Sequence, residues 1–299
     1  MSAETVSGSA RPYRNRIGSG VRAAFDAVPP SGLVLLGILS VQVGAGLAKN
    51  LFTVLPPSAV VFLRISTGAL VLLAVALPRL RGLNRGDLLA GTAFGVSLGL
   101  MNLSFYEALA RLPMGVAVSI EFLGPLTVAV VASRRRLDLL WVLLAAAGIV
   151  LLAPWGDLAG ASWAGIGFAL AAGALWAAYI LLSASVGRRF PGATGLSFAM
   201  LVSALVSAPV GIAAGGVDLF RPEILLLGLG VGLLSSVIPY TLELEALRRM
   251  PKRVFGILMS LEPAAAALVG LFVLGEILHV REWAAIGCVV LASIGATKT

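Results

Sequence analysis

Long apolar runs alternate with short polar breaks along almost the whole chain. Each run is close to the twenty or so residues that a helix needs to cross the hydrocarbon layer of a membrane. The runs predict ten transmembrane helices, at residues 32–52, 58–78, 88–107, 113–133, 138–154, 163–184, 194–214, 224–246, 252–274 and 283–297. Backbone polar groups in lipid must be paired within their own segment, so the predicted fold class is an all-α polytopic membrane protein.

The composition supports the same class. Hydrophobic residues make up 59% of the 299 positions and charged residues only 12%. A soluble domain carries roughly a quarter charged residues. Too little polar surface is left to cover a water-soluble globule, so a soluble fold is excluded.

The basic residues test the number and the direction of the spans. Seventeen of the 22 lie in breaks on the side of the N-terminus, whereas Arg111, Arg221 and Arg281 lie on the opposite side. Cytoplasmic loops carry the excess of Lys and Arg, so we expect a cell-membrane protein with both termini in the cytoplasm and a cytoplasmic tail at 1–31. This distribution also accounts for the net charge of +8 without a nucleic-acid partner.

The two halves of the chain resemble each other at a constant offset of 138 residues. The matched positions include Ser97 and Ser235, Glu107 and Glu245, Pro113 and Pro251, Pro125 and Pro263, and Asp138 and Glu276. Each half, at 32–155 and 156–299, holds five predicted spans. Because five is odd, the second half enters the membrane in the opposite direction. Inverted repeats of this kind are typical of secondary transporters, with a substrate site between the halves.

Ionisable residues within the spans are the first candidates for that site, because a charge at membrane depth is costly unless it is paired or faces a water-filled cavity. They are Lys49, Arg64, Glu121, Glu243, Glu245 and Glu262. Arg64 and Glu121 lie at similar predicted depth, which leaves open a structural ion pair or a shared substrate vestibule. Glu245 is expected to reach the cytoplasmic interface instead.

Glu262 is the best candidate for a proton carrier, because it lies deepest and burial favours the neutral form of a carboxyl group. Glu121 and Glu262 both lie near a proline, Pro125 and Pro263, which predicts a kink or a free backbone carbonyl at each place. Gln42, Asn102, Tyr106, Trp176 and Tyr179 are candidates to line the same cavity.

Several chemistries are disfavoured. The chain has no phosphate-binding loop of the Gly-x-x-x-x-Gly-Lys-Ser/Thr type and no cluster typical of catalysis. The single histidine, His279, and the single cysteine, Cys288, lie apart. No metal or cofactor is therefore predicted, and an intramembrane enzyme is the weaker alternative to a carrier.

Five segments carry a resemblance to a known family. They are residues 40–49, 95–102, 121–126, 239–243 and 255–264, which include Glu121-Phe122-Leu123-Gly124-Pro125 and Leu261-Glu262-Pro263. With them the chain resembles the drug/metabolite transporter superfamily of paired EamA-type domains, and within it the bacterial threonine/homoserine exporters. The resemblance extends over almost everything from residue 32 to 298.

The resemblance implies export of a small amino acid in exchange for protons, by alternating access. Lys49 or Arg64 would hold the substrate carboxylate, and Glu121 or Glu262 the ammonium group or the proton, with Glu243 also matching the family pattern. The expected partners are the substrate, protons and the lipid bilayer. Export of other metabolites or drugs, and a non-transporting membrane scaffold, are the alternatives.

Overall fold

The computed structural model describes residues 27–51, 54–77, 83–112, 114–133, 136–152, 162–191, 193–265, 268 and 280–298. All regular secondary structure in these ranges is helical. In the first half the helices are α1 (Pro30–Leu51), α2 (Pro57–Val75), α3 (Arg85–Leu109), α4 (Met114–Glu121), α5 (Leu123–Ala132) and α6 (Arg136–Leu152). In the second half they are α7 (Trp163–Arg189), α8 (Thr194–Gly215), α9 (Pro222–Gly232), α10 (Ile238–Arg249), α11 (Lys252–Met259) and α12 (Val280–Lys298).

Five helical stretches are long and apolar enough to cross a membrane. They are Pro57–Val75, Arg85–Leu109, Trp163–Arg189, Thr194–Phe220 and Pro222–Arg249. The protein is thus a multi-pass helical membrane protein, as predicted. The other five predicted spans fall on shorter helices or extend into residues outside the described part.

Capping explains why α3 begins three residues before the predicted start at residue 88. The side chain of Asn84 accepts a hydrogen bond from the backbone N–H of Asp87 at 2.8 Å, and Asp87 accepts one from the N–H of Asn84 at 3.2 Å. This reciprocal pair satisfies two of the N–H groups that a helix start leaves without partners. The helix can therefore begin within a polar break that hydropathy alone assigns to a loop.

Two predicted spans are interrupted instead of continuous. The span predicted at 113–133 divides at Phe122 into α4 and α5, and α11 ends at a turn at Ser260 before helix resumes over 261–265. Pro125 and Pro263 follow these breaks by three residues. Since proline has no N–H, each leaves a carbonyl one turn earlier without its helical donor.

The helices of the two halves pack directly against each other. α3 packs on α7 and α8, α2 on α8 and α9, α1 on α10, α5 on α11, and α6 on α12. One close approach is at Gly124 in α5, where any Cβ would collide with the backbone carbonyl of Gly173 in α7. Such contacts between small residues drive helix association in lipid, where apolar surface alone gives little preference for a neighbouring helix.

Candidate functional site

Arg64 lies in α2, inside the helix bundle, with 8% of its surface exposed. Its Nη2 donates a hydrogen bond to Oδ1 of Asn102 in α3. The guanidinium carbon lies 5.5 Å from the ring centroid of Tyr106, which is a cation–π distance. The Nε atom is buried and has no hydrogen-bond partner among the described residues. Arg64 therefore carries a charge and one open donor into the core.

Asn102 is held from three sides. Besides accepting from Arg64, its Nδ2 donates to the backbone carbonyl of Leu98 at 2.8 Å and to the hydroxyl of Tyr240 in α10 at 3.2 Å. These bonds fix the plane of the amide and join α2, α3 and α10. Asn102 thus orients Arg64 and Tyr240, although it was predicted only as a residue that lines the cavity.

Tyr240 was not among the predicted site residues. It lies exactly 138 positions after Asn102, the offset of the internal repeat, and that spacing was the signal that could have found it. Its ring centroid lies 5.8 Å from that of Tyr179 in α7. Tyr240 therefore connects the Arg64 side of the cluster to a second polar pair.

That second pair is formed by Tyr179 and Glu243. The hydroxyl of Tyr179 donates to Oε2 of Glu243 in α10 over 2.8 Å, and both side chains are buried. Phe94 covers the pair, with its ring centroid 5.3 Å from that of Tyr179. Glu243 therefore has a neutral partner, and no ion pair reaches it from the described residues.

Glu121 and Glu262 complete the cluster. Glu121 is buried at the end of α4, within electrostatic range of both Arg64 and Glu262, and Glu262 is also within range of Glu243. The alternative of a direct ion pair between Arg64 and Glu121 is not observed, since neither belongs to an ion pair of the described residues. Three carboxyl groups and one arginine therefore share the centre, and the described residues form no ion pair there.

Two further predicted residues lie beside this centre. The side-chain Nε2 of Gln42 in α1 donates to the backbone carbonyl of Glu262 at 3.2 Å. Trp176 in α7 packs edge-on against Phe122, at the break between α4 and α5, with centroids 4.9 Å apart. Lys49 belongs to α1, but its side chain lies outside the described part of the structure.

Glu245 lies apart from the central cluster. Its carboxylate binds Arg248 at 2.9 Å and Arg249 at 2.6 Å, both at the end of α10. Arg248 also donates to the carbonyls of Gly187 and Phe190 at the end of α7. Glu245 is therefore a paired residue of the helix ends, and its predicted place at the cytoplasmic interface stays a prediction.

Other ion pairs at the same end of the bundle join different helices. Arg189 at the end of α7 binds Asp87 at the start of α3 over 3.2 Å, and Arg253 in α11 binds the buried Asp138 in α6. At the opposite end the ion pairs of the described residues are local. They are Arg111 with Glu107, and Arg221 with Asp218.

The central cluster and the charged end of the bundle differ in whether their charged groups already have partners of opposite charge. At the end, the carboxylates of Asp87, Asp138 and Glu245 each have a cationic partner. In the centre, Arg64 has an open donor and forms no ion pair with a carboxyl group of the described residues. A buried charge without compensation is costly, so this arrangement suits a ligand that carries both an anionic and a cationic group.

Comparisons with known proteins agree with this picture. The EamA-like transporter family matches residues 163–297. The threonine/homoserine exporter RhtA of Escherichia coli (strain K12) is 41% identical over 271 residues, which are 90% of this chain and 92% of that protein. The exporter of the same name from Salmonella typhimurium (strain LT2) is 41% identical over the same shares.

More distant relatives extend the comparison. The uncharacterized transporter YwfM of Bacillus subtilis (strain 168) is 29% identical over 170 residues, which are 56% of this chain and 57% of that protein. A crystal structure with 20% sequence identity superposes with a TM-score of 0.72 and covers 90% of this chain and 96% of that one, which shows the shared fold. Because the matching family is one of transporters and the 41% identical relatives are named as exporters, the prediction that the chain is not an enzyme is confirmed. The chain belongs to the EamA-like transporter family.

Proposed function

We propose that this protein exports small amino acids resembling threonine and homoserine across the cytoplasmic membrane, in exchange for protons. The proposal draws its substrate class from the exporters that are 41% identical over most of the chain. The observation that carries it within the molecule is Arg64, whose buried Nε has no partner among the described residues.

Arg64 binds the substrate carboxylate in this proposal. A guanidinium presents several N–H donors in a fixed plane and matches the two oxygens of a carboxylate. One of its nitrogens is already oriented by Asn102, so the arginine is held in place before the substrate arrives. A bound carboxylate would compensate the buried charge and fill the open donor. Lys49 is the second candidate for this role.

Glu121, Glu243 and Glu262 form the acidic side of the site. Glu262 is within electrostatic range of both of the others, so a positive charge near it is favoured by all three groups. The substrate ammonium or a proton would supply that charge. Competition between the two for the same carboxyl group couples export to proton entry, because only one of them occupies it at a time.

Two inverted five-helix repeats, 32–155 and 156–299, and ten spans with cytoplasmic termini complete the proposal. The breaks at Phe122 and Ser260 support it, since they lie at the repeat offset. So does the hydrogen bond between Asn102 and Tyr240, because equivalent residues of two repeats meet only near their symmetry axis. The packing of α3 on α7 likewise has its equivalent in the packing of α1 on α10.

Alternating access follows from rocking of the two repeats around this centre. The contacts between Asp87 and Arg189 and between Asp138 and Arg253 join one repeat to the other at the end that the proposal assigns to the cytoplasm. Those contacts are intact in this structure. The substrate would enter from the cytoplasm only after they separate.

Efflux from proteoliposomes tests the function. Purified protein is reconstituted, loaded with labelled threonine or homoserine, and compared with protein-free liposomes, with and without an imposed pH gradient. We expect efflux of the amino acid, and we expect it to be faster when the solution outside the liposomes is more acidic than the solution inside. Movement of another metabolite only would contradict the substrate class, and no movement of any amino acid would favour the membrane scaffold. Efflux that ignores the gradient would contradict proton exchange.

A further inference from the structure

The second half contains a helical irregularity directly before Tyr240. Between α9 and α10, residues Leu233–Val237 form a π-turn, in which the N–H of Ile238 donates to the carbonyl of Leu233. A regular α-helix would direct that N–H to Leu234 instead. The π-turn therefore removes the normal donor for the carbonyl of Leu234.

Pro239 removes the alternative donor as well. In the π-helical pattern, the carbonyl of Leu234 would accept from residue 239, five positions later. Proline has no N–H, so neither helical pattern supplies a partner. The carbonyl of Leu234 thus lacks both its α-helical and its π-helical donor, and an unpaired carbonyl is costly in a lipid environment.

A side chain from the other half of the molecule fills this position. The hydroxyl of Ser40 in α1 donates to the carbonyl of Leu234 at 2.6 Å. One turn further along α1, Gly44 lies so close to Ser235 that any Cβ would collide with its hydroxyl. The serine hydroxyl and the small residue together seat α1 directly on the π-turn.

We infer that Ser40 is a positioning residue for the substrate site, acting through the Leu234 carbonyl that the π-turn leaves without a helical donor. The inference rests on the proposed function and adds to it a residue that touches neither substrate nor proton. By holding the π-turn, Ser40 sets the rotation at which α10 begins. That rotation decides where the side chains of the first turns of α10 point.

Two of those side chains belong to the central cluster. Tyr240 accepts the hydrogen bond from Asn102, and Glu243 accepts the one from Tyr179. Residues three apart lie on the same face of a helix, so one small rotation moves both contacts together. Loss of the Ser40 bond would therefore disturb Asn102, and through it Arg64, together with the Glu243 pair.

Hydrogen exchange tests the structural half of this inference without requiring transport. In Ser40→Ala, we expect faster exchange of amides in residues 233–243, by about fivefold or more, as for the loss of one hydrogen bond. Ser40→Thr keeps the hydroxyl and should exchange like the wild type. Thr127→Val is the matched control, since Thr127 donates to Leu123 within its own helix and joins no second helix.

Transport kinetics test the functional half. We expect Ser40→Ala to raise the KM for threonine about fivefold with a smaller change in the maximal rate, and Ser40→Thr to restore the wild-type value. The double variant Ser40→Ala/Pro239→Ala supplies a backbone N–H at residue 239 that can donate to Leu234. It should recover most of the lost affinity and of the exchange protection.

Three outcomes separate the inference from the proposed function. Exchange and KM unchanged in Ser40→Ala would overturn the inference while leaving threonine export intact. Exchange accelerated with KM unchanged would also overturn it, because the serine would then be purely structural. If the wild type moves no amino acid, the proposed function fails, and unchanged exchange in Ser40→Ala would overturn the positioning role as well. Accelerated exchange together with a raised KM, both rescued by Pro239→Ala, would support the positioning role.

Discussion

Glu243 and Glu245 lie two residues apart on α10 and have opposite surroundings. Glu245 is bound by Arg248 and Arg249 at the end of the helix. Glu243 is buried and accepts a hydrogen bond from the neutral hydroxyl of Tyr179. A shift of two positions along one helix thus separates a region of ion pairs from one in which the described residues form none.

The difference indicates what each region does. At the helix ends, a network of arginines and carboxylates is complete within the protein, which suits a structural contact. In the centre, Arg64 keeps an open donor, and Glu121, Glu243 and Glu262 belong to no ion pair among the described residues. Evolution of a purely structural core would favour apolar packing over such a cluster, since replacing buried charges with apolar residues is often stabilising.

Of the substitutions considered, replacing Arg64 should reduce transport most. Arg64→Gln removes the charge and keeps a donor, and we expect efflux of threonine to fall about a hundredfold or more, in line with the loss of a buried charged contact. The same change removes an uncompensated buried charge, so the thermal stability of the substrate-free protein should be unchanged or higher. A melting temperature that falls together with transport would make Arg64 structural. Arg64→Lys is the matched control for charge.

Replacing Glu262 should affect coupling more than binding. Glu262→Gln keeps the shape and loses the titrating group, so we expect exchange of threonine across the membrane to persist while acceleration by a pH gradient disappears. Both processes are measured in the same liposome preparation: efflux driven by a pH gradient, and exchange of labelled for unlabelled threonine without a gradient. Glu245→Gln, measured in parallel as a control, should keep the response to the gradient. If Glu262→Gln behaved like the wild type, Glu262 would not be the group that carries the proton.

Breaking the buried contact at the charged end should reduce stability. Asp138→Asn leaves Arg253 without its charged partner in a poorly exposed position, and we expect the free energy of unfolding to fall by about 1–3 kcal/mol. Thermal unfolding in detergent measures it. The exchanged pair Asp138→Arg/Arg253→Asp should recover part of the loss. A full loss of substrate binding in Asp138→Asn, with stability unchanged, would contradict the structural assignment.

The smallest effect is expected at Glu245. Its partners are on the same helix and partly exposed, and such pairs contribute about 0–1 kcal/mol. Glu245→Gln should therefore change the melting temperature slightly and leave the KM for threonine as it is. If this variant impaired transport as strongly as Glu243→Gln, the contrast between the two glutamates would be lost.

Much of this architecture could be predicted from the sequence because the membrane constrains it. Hydropathy alone indicated a multi-pass helical protein, and the cost of charges at membrane depth singled out six residues. Arg64, Glu121, Glu243 and Glu262 lie in the central cluster, whereas Glu245 is paired at the helix ends and the side chain of Lys49 lies outside the described part. The prolines at 125 and 263 marked the places where the helices break. These predictions depend on the chemistry of single residues and on their position within a predicted span, and both can be read from the sequence.

The remaining features depend on contacts between distant residues. Asn102 was predicted, but its role as a link between Arg64 and Tyr240 arises only when α2, α3 and α10 meet. Ser40 was missed because its importance depends on which carbonyl the π-turn leaves open. The early start of α3 at Arg85 was missed because a capping pair in a polar break overrides hydropathy.

The central claim is that Arg64 completes its contacts with the carboxylate of the substrate. Competition with labelled threonine in proteoliposomes tests it most directly, with threoninol, which replaces the carboxylate by an alcohol, as the probe. For the wild-type protein, we predict that unlabelled threonine displaces labelled threonine at a concentration at least about tenfold lower than threoninol does. In Arg64→Gln this difference should disappear. Equal competition by threonine and threoninol in the wild type would contradict the claim.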